Sequence, residues 1–349
     1  MKNLPFEYNF YTQEIIKKTI SANKALAELN WIVQKIPNTN ILVNSLSLQE
    51  AKDSSEIESI ITTHDELYKA RVNPKYISQD AKEVQDYAEA LLQWYKNIQR
   101  NWILTSRDIR KIQETLEWNS AWFRTQSWTT LKNEKTWEIV YTPPQDIESI
   151  QSLMDNLEQY INKDIQDIDP LIKMAIIHHQ FESIHPFLDW NGRTWRIINI
   201  LYLVLQDLLD VPILYMSKYL IQNKSEYYRL LQDVRDTWKR HEWIMYMLSA
   251  VEETALLTIK TTNEIWQLMW SFKSRLKKEH ANLYSKDLLE ILFSHPYTKI
   301  DFLVHELSIH RETASKYLNT LSNSWYLEPV KLWNTKYYIN KELFMLLQK

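Results

Sequence analysis

HPFLDWNGRTWR, residues 185–196, concentrates chemically active side chains near the middle of a 349-residue chain. It begins with a histidine, carries an acid at position 189 and an asparagine at 191, and ends with two arginines spaced three apart. We interpret it as a loop that leads into a helix beginning near Asn191 or Gly192. Because a helix begins with free N–H groups and the positive end of its dipole, this start is suited to binding an anion.

The residue types in this stretch predict chemistry on a nucleotide. Arg193 and Arg196 share a face of the expected helix, where two guanidinium groups can grip successive phosphates. Asp189 offers carboxylate oxygens to Mg²⁺, which commonly bridges a protein carboxylate and substrate phosphates. His185 titrates near neutral pH and can act as a general base. Together they indicate a site for phosphoryl or nucleotidyl transfer.

Other interpretations of these residues are weaker. One His beside one Asp is often only a surface pair, and two arginines often only solvate a helix. A zinc site built from His178, His179 and His185 is conceivable. However, adjacent histidines point about 100° apart on a helix, and the H-E-x-x-H spacing is absent, so we do not favour it.

The composition is that of an ordinary folded protein, with 45% hydrophobic and 24% charged residues and a net charge of −3. The charge gives no global attraction to nucleic acid or to an anionic membrane. There is no cysteine, which fits a reducing compartment. No apolar run has the length of a membrane span, and the first residues do not form a signal peptide. We therefore expect a cytoplasmic protein without a membrane partner.

Glycine is almost absent: it occurs once, whereas an average content of roughly 7% predicts about 24 in a chain of this length. Tryptophan occurs 15 times. Turns and helix ends usually need glycine because they place residues at positive φ. Four tryptophans stand where glycine is typical, and we expect them in turns or at helix ends, several with positive φ: Trp137, Trp190, Trp325 and Trp333.

Helical periodicity dominates, so the sequence predicts a mainly α protein. In the segment that follows PNTN (37–40), Ser47 and Glu50 have the spacing of a capping box and predict a helix start. Residues 122–142 alternate in polarity around KNEKT, which predicts a β-hairpin. From about residue 284 the order helix, short helix, turn, helix and two strands predicts a winged helix-turn-helix. We place domains at 1–100, 101–280 and 281–349.

HPFLDWNGRTWR resembles the Fic motif H-x-F-x-[DE]-G-N-G-R-x-x-R, with Trp190 in the position of a glycine. The lead-in MAIIHHQFESIHPF, the hairpin with YTPP, and VPILYMSKYLIQNKSEYYRLLQDVR also resemble Fic proteins. The resemblance covers most of the chain. It implies a Fic-fold helical bundle with a β-hairpin flap, and transfer of AMP from ATP to a hydroxyl side chain (Ser, Thr or Tyr) of a target protein, with Mg²⁺.

The resemblance also implies individual roles. His185 would deprotonate the target hydroxyl and Asp189 would hold Mg²⁺. Asn191 and the backbone of Gly192 would cradle phosphate, and Arg193 and Arg196 would bind the β- and γ-phosphates. Tyr227 and Tyr228 resemble the aromatic pair that lies near the adenine in Fic proteins. Simple packing of these two side chains on a helix is an equal alternative.

Two further segments have implied roles. SSEIES, residues 54–59, resembles the inhibitory motif [ST]-x-x-x-E-[GN] of Fic proteins; Ser54 and Glu58 match, and Ser59 departs from Gly or Asn. We therefore expect Glu58 to lie beside Arg196 and to autoinhibit the enzyme. The 124–141 hairpin resembles the flap on which the target docks by adding a strand.

Two other functions remain as alternatives. The tail could bind DNA in a transcription regulator, but its expected recognition helix, RETASKYLNTL, offers only Arg311 and Lys316 as cations. Trp190 would crowd a phosphate-binding backbone. A catalytically impaired nucleotide-binding scaffold is therefore the second alternative. A homodimer is also among the partners we consider.

Overall fold

The computed structural model describes residues 1–36, 38–72, 78–117, 122–132, 136–163, 168–332 and 335–348. Its elements in chain order are α1 (Gln13–Val33), α2 (Asn40–Ile57), α3 (His64–Val72), α4 (Gln79–Asn101), α5 (Ser106–Glu117), β1 (Leu131–Lys132), β2 (Ile139–Tyr141), α6 (Ile147–Asn162), α7 (Pro170–Ile184), α8 (Asn191–Leu205), α9 (Ser217–Gln222), α10 (Lys224–Thr237), α11 (His241–Glu279), α12 (Lys286–Ser294), β3 (Tyr297–Thr298), α13 (Ile300–Leu307), α14 (Arg311–Asn323), β4 (Glu328–Leu332), β5 (Thr335–Ile339) and α15 (Lys341–Leu347). The fold is mainly helical, as the sequence predicts.

Two helices that are buried on nearly every face, α7 and α8, form the centre of the bundle. Helix α7 begins with Pro170, whose missing N–H costs nothing in the first turn, and the Asp169 carboxylate accepts the N–H of Leu171 at 2.9 Å. Nearly all side chains of both helices are buried, which is typical of helices without a polar stripe. The loop between α7 and α8 is residues 185–190, so the core itself positions the predicted active residues.

The N-terminal helices pack onto this centre. Helix α1 lies along α11, and α2 packs against α4 and α9 and contacts α8. The capping box predicted at Ser47 is wrong, because α2 already begins at Asn40 and Ser47 lies in its buried interior. Glu50 accepts hydrogen bonds from the Ser217 backbone N–H (3.0 Å) and from the Tyr87 hydroxyl (3.1 Å) instead.

The predicted hairpin and winged helix are both present. Strands β1 and β2 pair antiparallel, with Leu131 opposite Tyr141. In the tail, α12, α13 and α14 precede a three-stranded antiparallel sheet of order β3-β5-β4. Among the described residues, no helix has the length and hydropathy needed to cross a membrane. The division into domains at residues 100 and 280 stays a prediction.

Tryptophans occupy left-handed backbone positions, as the sequence predicts. Positive φ angles are found at Trp137 (60°), Trp190 (67°) and Trp325 (64°), and also at Trp102 (49°) and Trp238 (62°). Trp333 lies outside the described residues. A bulky side chain in this region of φ/ψ space is uncommon, because its Cβ crowds the neighbouring backbone. Glycine would adopt the same conformations without that cost.

Trp325 illustrates the point, since it ends helix α14 in a Schellman arrangement. Its N–H donates to the Ser322 carbonyl at 3.1 Å, and the Tyr326 N–H donates to the Leu321 carbonyl at 3.0 Å. The residue that occupies this position is usually glycine. The indole is 92% exposed and therefore contributes little packing to offset the strain.

We expect Trp325→Gly to raise the free energy of unfolding by about 1 kcal/mol, because it relieves the left-handed strain. Trp270→Gly is the matched control: it also removes an exposed indole, but from the helical interior of α11, and should lower stability by about 1 kcal/mol. Urea denaturation of both variants measures the difference. Destabilisation by both substitutions would contradict the assignment of strain to Trp325.

Candidate active site

The loop between α7 and α8 is held in shape by its own side chains. His185 ends α7 in a left-handed conformation, with φ of 49° and ψ of 60°, and its N–H donates to the Phe181 carbonyl. The Asn191 amide accepts the Phe187 N–H at 2.9 Å and donates to the Phe187 carbonyl at 2.8 Å. Phe187 is buried against Phe123 and Phe181. The Asn191 side chain, expected to cradle phosphate, is thus engaged in fixing the loop.

His185 has the electrostatics of a base. Burial lowers the pKa of its imidazole to about 4, with further lowering by Arg124 and Arg235. The ring is therefore neutral at physiological pH and can accept a proton. Its Nδ1 atom is buried and has no hydrogen-bond partner among the described residues.

Asp189 lies at the mouth of the site. Its side chain is exposed, and Oδ1 accepts the N–H of Trp190 at 2.6 Å. The described residues contain no group of three potential metal ligands. A single exposed carboxylate nevertheless fits Mg²⁺, which takes one or two carboxylates and completes its shell with phosphate oxygens and water.

Arg193 is buried and only partly satisfied. Its Nη1 donates to the Glu83 carboxylate at 2.8 Å, and its guanidinium carbon lies 3.1 Å from the centroid of the Trp190 ring. Its Nε is buried without a hydrogen-bond partner among the described residues. The Trp190 indole is itself largely buried. It therefore covers one face of the guanidinium that is expected to bind phosphate.

Arg196 is paired with the predicted inhibitory residues. Its Nε donates to Ser54 Oγ at 2.7 Å, and its Nη2 donates to the Ser54 carbonyl at 3.0 Å and to Glu58 Oε1 at 2.7 Å. Burial alone would raise the pKa of Glu58, but the cations of Arg196, Arg193 and Lys224 together outweigh it and the net shift is downward. Burial likewise works to lower the pKa of Arg196, yet Glu58 gives a net rise. The two groups form a charged, charge-assisted pair.

Gly192 is the single glycine, and space rather than φ explains it. Its φ is not positive. A Cβ at this position would lie 2.4 Å from Glu58 Oε1 and 2.9 Å from Arg196 Nη1. A side chain here would therefore require the Glu58–Arg196 pair to shift.

The backbone conformation of Ser59 accounts for the glycine or asparagine that usually ends the inhibitory motif. It follows the last residue of α2 by two positions and has φ of 66°. Glycine and asparagine are the residues that adopt this conformation most readily. The same turn therefore forms here with serine, and it leaves the carboxylate of Glu58 pointing at Arg196.

The remaining predicted residues are only partly in the site. Tyr227 is buried, and its hydroxyl is hydrogen-bonded to His178 Nε2 at 2.8 Å. Tyr228 is 45% exposed, and its place near the adenine stays a prediction. His178 also contacts Asn199, and His179 contacts a backbone carbonyl, so the zinc alternative has no support from these two side chains.

Sequence reasoning missed several residues around the site. Glu83 pairs with Arg193, while Arg124 and Arg235 surround the end of α7. Glu182 is buried in α7, and burial raises its pKa to about 7 despite the nearby Arg196. Each of these is an ordinary charged residue of a helix or hairpin by its sequence pattern. The one available signal was the position of Arg124 within the predicted hairpin.

A neutral imidazole at the end of one helix, with a carboxylate and two arginines at the start of the next, is the arrangement expected of a Fic-type site. Residues 103–203 match the Fic/DOC family, residues 16–95 its N-terminal region, and residues 268–343 the C-terminal domain of SoFic-like protein adenylyltransferases. The chain belongs to the Fic family.

Solved structures share this fold. A Fic family protein from Desulfovibrio desulfuricans aligns with a TM-score of 0.60 at 17% identity, covering 95% of this chain and 97% of that one. A Fic-domain signalling protein from Bacteroides thetaiotaomicron aligns at 0.55 and 16% identity, covering 70% and 98%. A fragment of Fic-1 from C. elegans aligns at 0.52 and 17% identity, covering 70% and 71%. The domain content supports a transferase of the AMPylation type.

Proposed function

We propose that this protein is a protein adenylyltransferase, which transfers AMP from ATP to a hydroxyl side chain of a target protein and is held inactive by Glu58. The observation that carries the proposal is the pair between Glu58 and Arg196, which joins the predicted inhibitory motif to the predicted phosphate-binding arginine. The match to the C-terminal domain of SoFic-like adenylyltransferases supports the reaction class.

The reaction follows from the placement of the base and the arginines. His185, neutral at physiological pH, takes the proton of the target hydroxyl as its oxygen forms a bond to the α-phosphorus of ATP. The bond between that phosphorus and the bridging oxygen breaks, and pyrophosphate leaves. Arg193 and Arg196 hold the β- and γ-phosphates and balance their charge. Mg²⁺, held by Asp189, would supply additional charge to the triphosphate.

Autoinhibition follows from competition for one guanidinium. Glu58 and Ser54 occupy the Nε and Nη2 donors of Arg196. A γ-phosphate needs the same donors, so ATP would bind with its triphosphate displaced and its α-phosphorus out of line. A misplacement of about 1 Å can lower the rate on the order of 10²-fold.

The target is proposed to dock on the hairpin. Ile139 and Val140 of β2 are exposed, and a strand from the target can pair with the hairpin backbone without a strict sequence requirement. Docking there would bring the hydroxyl towards His185, because the base of the hairpin contacts the end of α7 through Tyr141. For the winged helix we propose no role with DNA, since α14 offers only Arg311 and Lys316 as cations, and Arg311 pairs with Asp301 at 2.5 Å.

Incubation of the Glu58→Gly variant with ATP labelled on the α-phosphate, Mg²⁺ and a cell lysate tests the proposal, with the double variant Glu58→Gly, Trp190→Gly alongside. We expect label on protein, and more of it with Trp190→Gly, because removal of the indole frees one face of Arg193 and relieves a φ of 67°. Label from γ-labelled ATP instead would indicate a kinase. ATP binding without transfer by either protein would support the scaffold alternative.

A further inference from the structure

The end of helix α7 carries the catalytic histidine and must satisfy its last carbonyl groups, which have no partner within the helix. Arg124 satisfies two of them. Its Nε donates to the His185 carbonyl at 2.8 Å, and its Nη2 lies 3.4 Å from the Ile184 carbonyl. The same guanidinium donates to the carbonyls of Gln126 and Pro144, which flank the hairpin.

The main chain adds to this connection. The N–H of Arg124 donates to the Pro186 carbonyl at 2.8 Å. The residue is only 2% exposed, yet no carboxylate lies within ion-pair distance of it among the described residues. A buried guanidinium that is hydrogen-bonded only to neutral carbonyl groups is costly, unless those carbonyls carry additional partial negative charge. The C-terminal end of α7 provides that, since the helix dipole places partial negative charge there.

A second set of contacts has the same arrangement. Arg235 donates to the Glu182 carbonyl at 3.0 Å and to Ser183 Oγ at 3.2 Å, and its guanidinium carbon lies 4.2 Å from the centroid of the Tyr141 ring. The Tyr141 hydroxyl donates to the Ser183 carbonyl at 3.1 Å. The last turn of α7 is therefore joined to the hairpin by two arginines and a tyrosine.

We propose that Arg124 is a positioning residue for AMP transfer, which fixes His185 in its left-handed conformation at the end of α7 and couples that conformation to the hairpin. The inference rests on the proposed function, because the hairpin is where the target is expected to dock. Arg124 touches the backbone of the base and not the reacting atoms. Its contribution is to hold the imidazole where the incoming hydroxyl arrives.

Arg124 also acts on the protonation of the base. The groups that influence His185 are the cations of Arg124 and Arg235, which lower its pKa, and the carboxylate of Glu58, which raises it. Burial is the largest cause of the lowered pKa, and Arg124 is the next. A base must be neutral to accept a proton, so activity is lost as the pH falls through its pKa. Removal of the Arg124 charge should move that loss to higher pH.

The test compares Arg124→Gln, Arg124→Lys and the control Arg107→Gln, all in the Glu58→Gly background, where transfer is measurable. For Arg124→Gln we expect kcat to fall on the order of 10²-fold with KM for ATP unchanged, because only the base is misplaced. Arg124→Lys keeps the charge but has no planar fork to span several carbonyls, so kcat should fall less. Arg107 is exposed on α5, and its replacement should change neither value.

A histidine titration by NMR provides a readout that does not need transfer. The chain has 9 histidines, and the His185 signal is identified by its loss in His185→Ala. We expect the pKa of His185 to rise in Arg124→Gln and to keep the parent value in Arg124→Lys. If the glutamine variant does not fold, the lysine variant still provides the comparison of kcat. An unchanged titration together with unchanged kcat would overturn the proposal, as would a kcat loss that is matched by loss of ATP binding. If the protein transfers no AMP, the proposed function fails, and the titration still tests whether Arg124 is coupled to His185.

Discussion

Replacement of Glu58 by glycine is expected to raise AMP transfer, including self-modification, by about two orders of magnitude. The carboxylate is removed from Arg196, so the N–H of Nη2 that Glu58 accepted becomes available to the γ-phosphate and the triphosphate can reach an in-line position. The size follows from the rate cost of a misplacement of about 1 Å. Ser54→Ala, which frees only Nε, should activate less. Incorporation of α-labelled ATP over time measures both.

Two controls separate release of Arg196 from a general loosening of helix α2. Glu56→Gly makes the same change two residues earlier, where the carboxylate pairs with Lys52 rather than with the site. It should leave transfer at the basal rate. The double variant Glu58→Gly with Arg196→Ala should lose the gain, because the freed arginine is then absent. Equal activation by the two glycine variants would contradict autoinhibition through Arg196.

The sequence predicted the parts of the site that depend on short-range spacing. The loop, the start of α8 near Asn191 and the hairpin follow from local patterns, and the structure contains each of them. The contact between residues 58 and 196 was predicted only through the resemblance of SSEIES to an inhibitory motif. No periodicity could have placed a helix of the first hundred residues against α8.

Long-range ion pairs and carbonyl contacts escaped the sequence for a physical reason. Glu83 on α4 has the pattern of a solvated helical acid, and only the packing of α4 on α8 brings it to Arg193. The capping box at Ser47 failed in the opposite way. The spacing fits a helix start, but α2 begins at Asn40 and buries Ser47 and Glu50 because the whole segment packs between other helices. Tertiary packing therefore decides both cases.

His185→Ala is expected to lower transfer on the order of 10²–10⁴-fold in the Glu58→Gly background, the usual contribution of a general base. The affinity for ATP should be nearly unchanged, because the arginines and not the imidazole are placed to hold phosphate. His305→Ala, at an exposed position of α13, is the matched control and should retain full activity. Isothermal titration with ATP and the labelling rate are measured on the same preparations.

The pH dependence adds an independent check on the same residue. Burial holds the pKa of His185 at about 4, and loss of the Glu58 carboxylate, which raises this pKa, moves it lower still. The base is therefore neutral across the physiological range, and the rate in the Glu58→Gly protein should stay flat from neutral pH down to about pH 4. Below that pKa the imidazole is protonated and can no longer accept the proton of the target hydroxyl.

Unchanged labelling by His185→Ala would contradict the assignment of His185 as the base. A loss of ATP affinity equal to the loss of rate would instead place His185 among the binding residues, because only a group that acts on the hydroxyl leaves nucleotide binding intact.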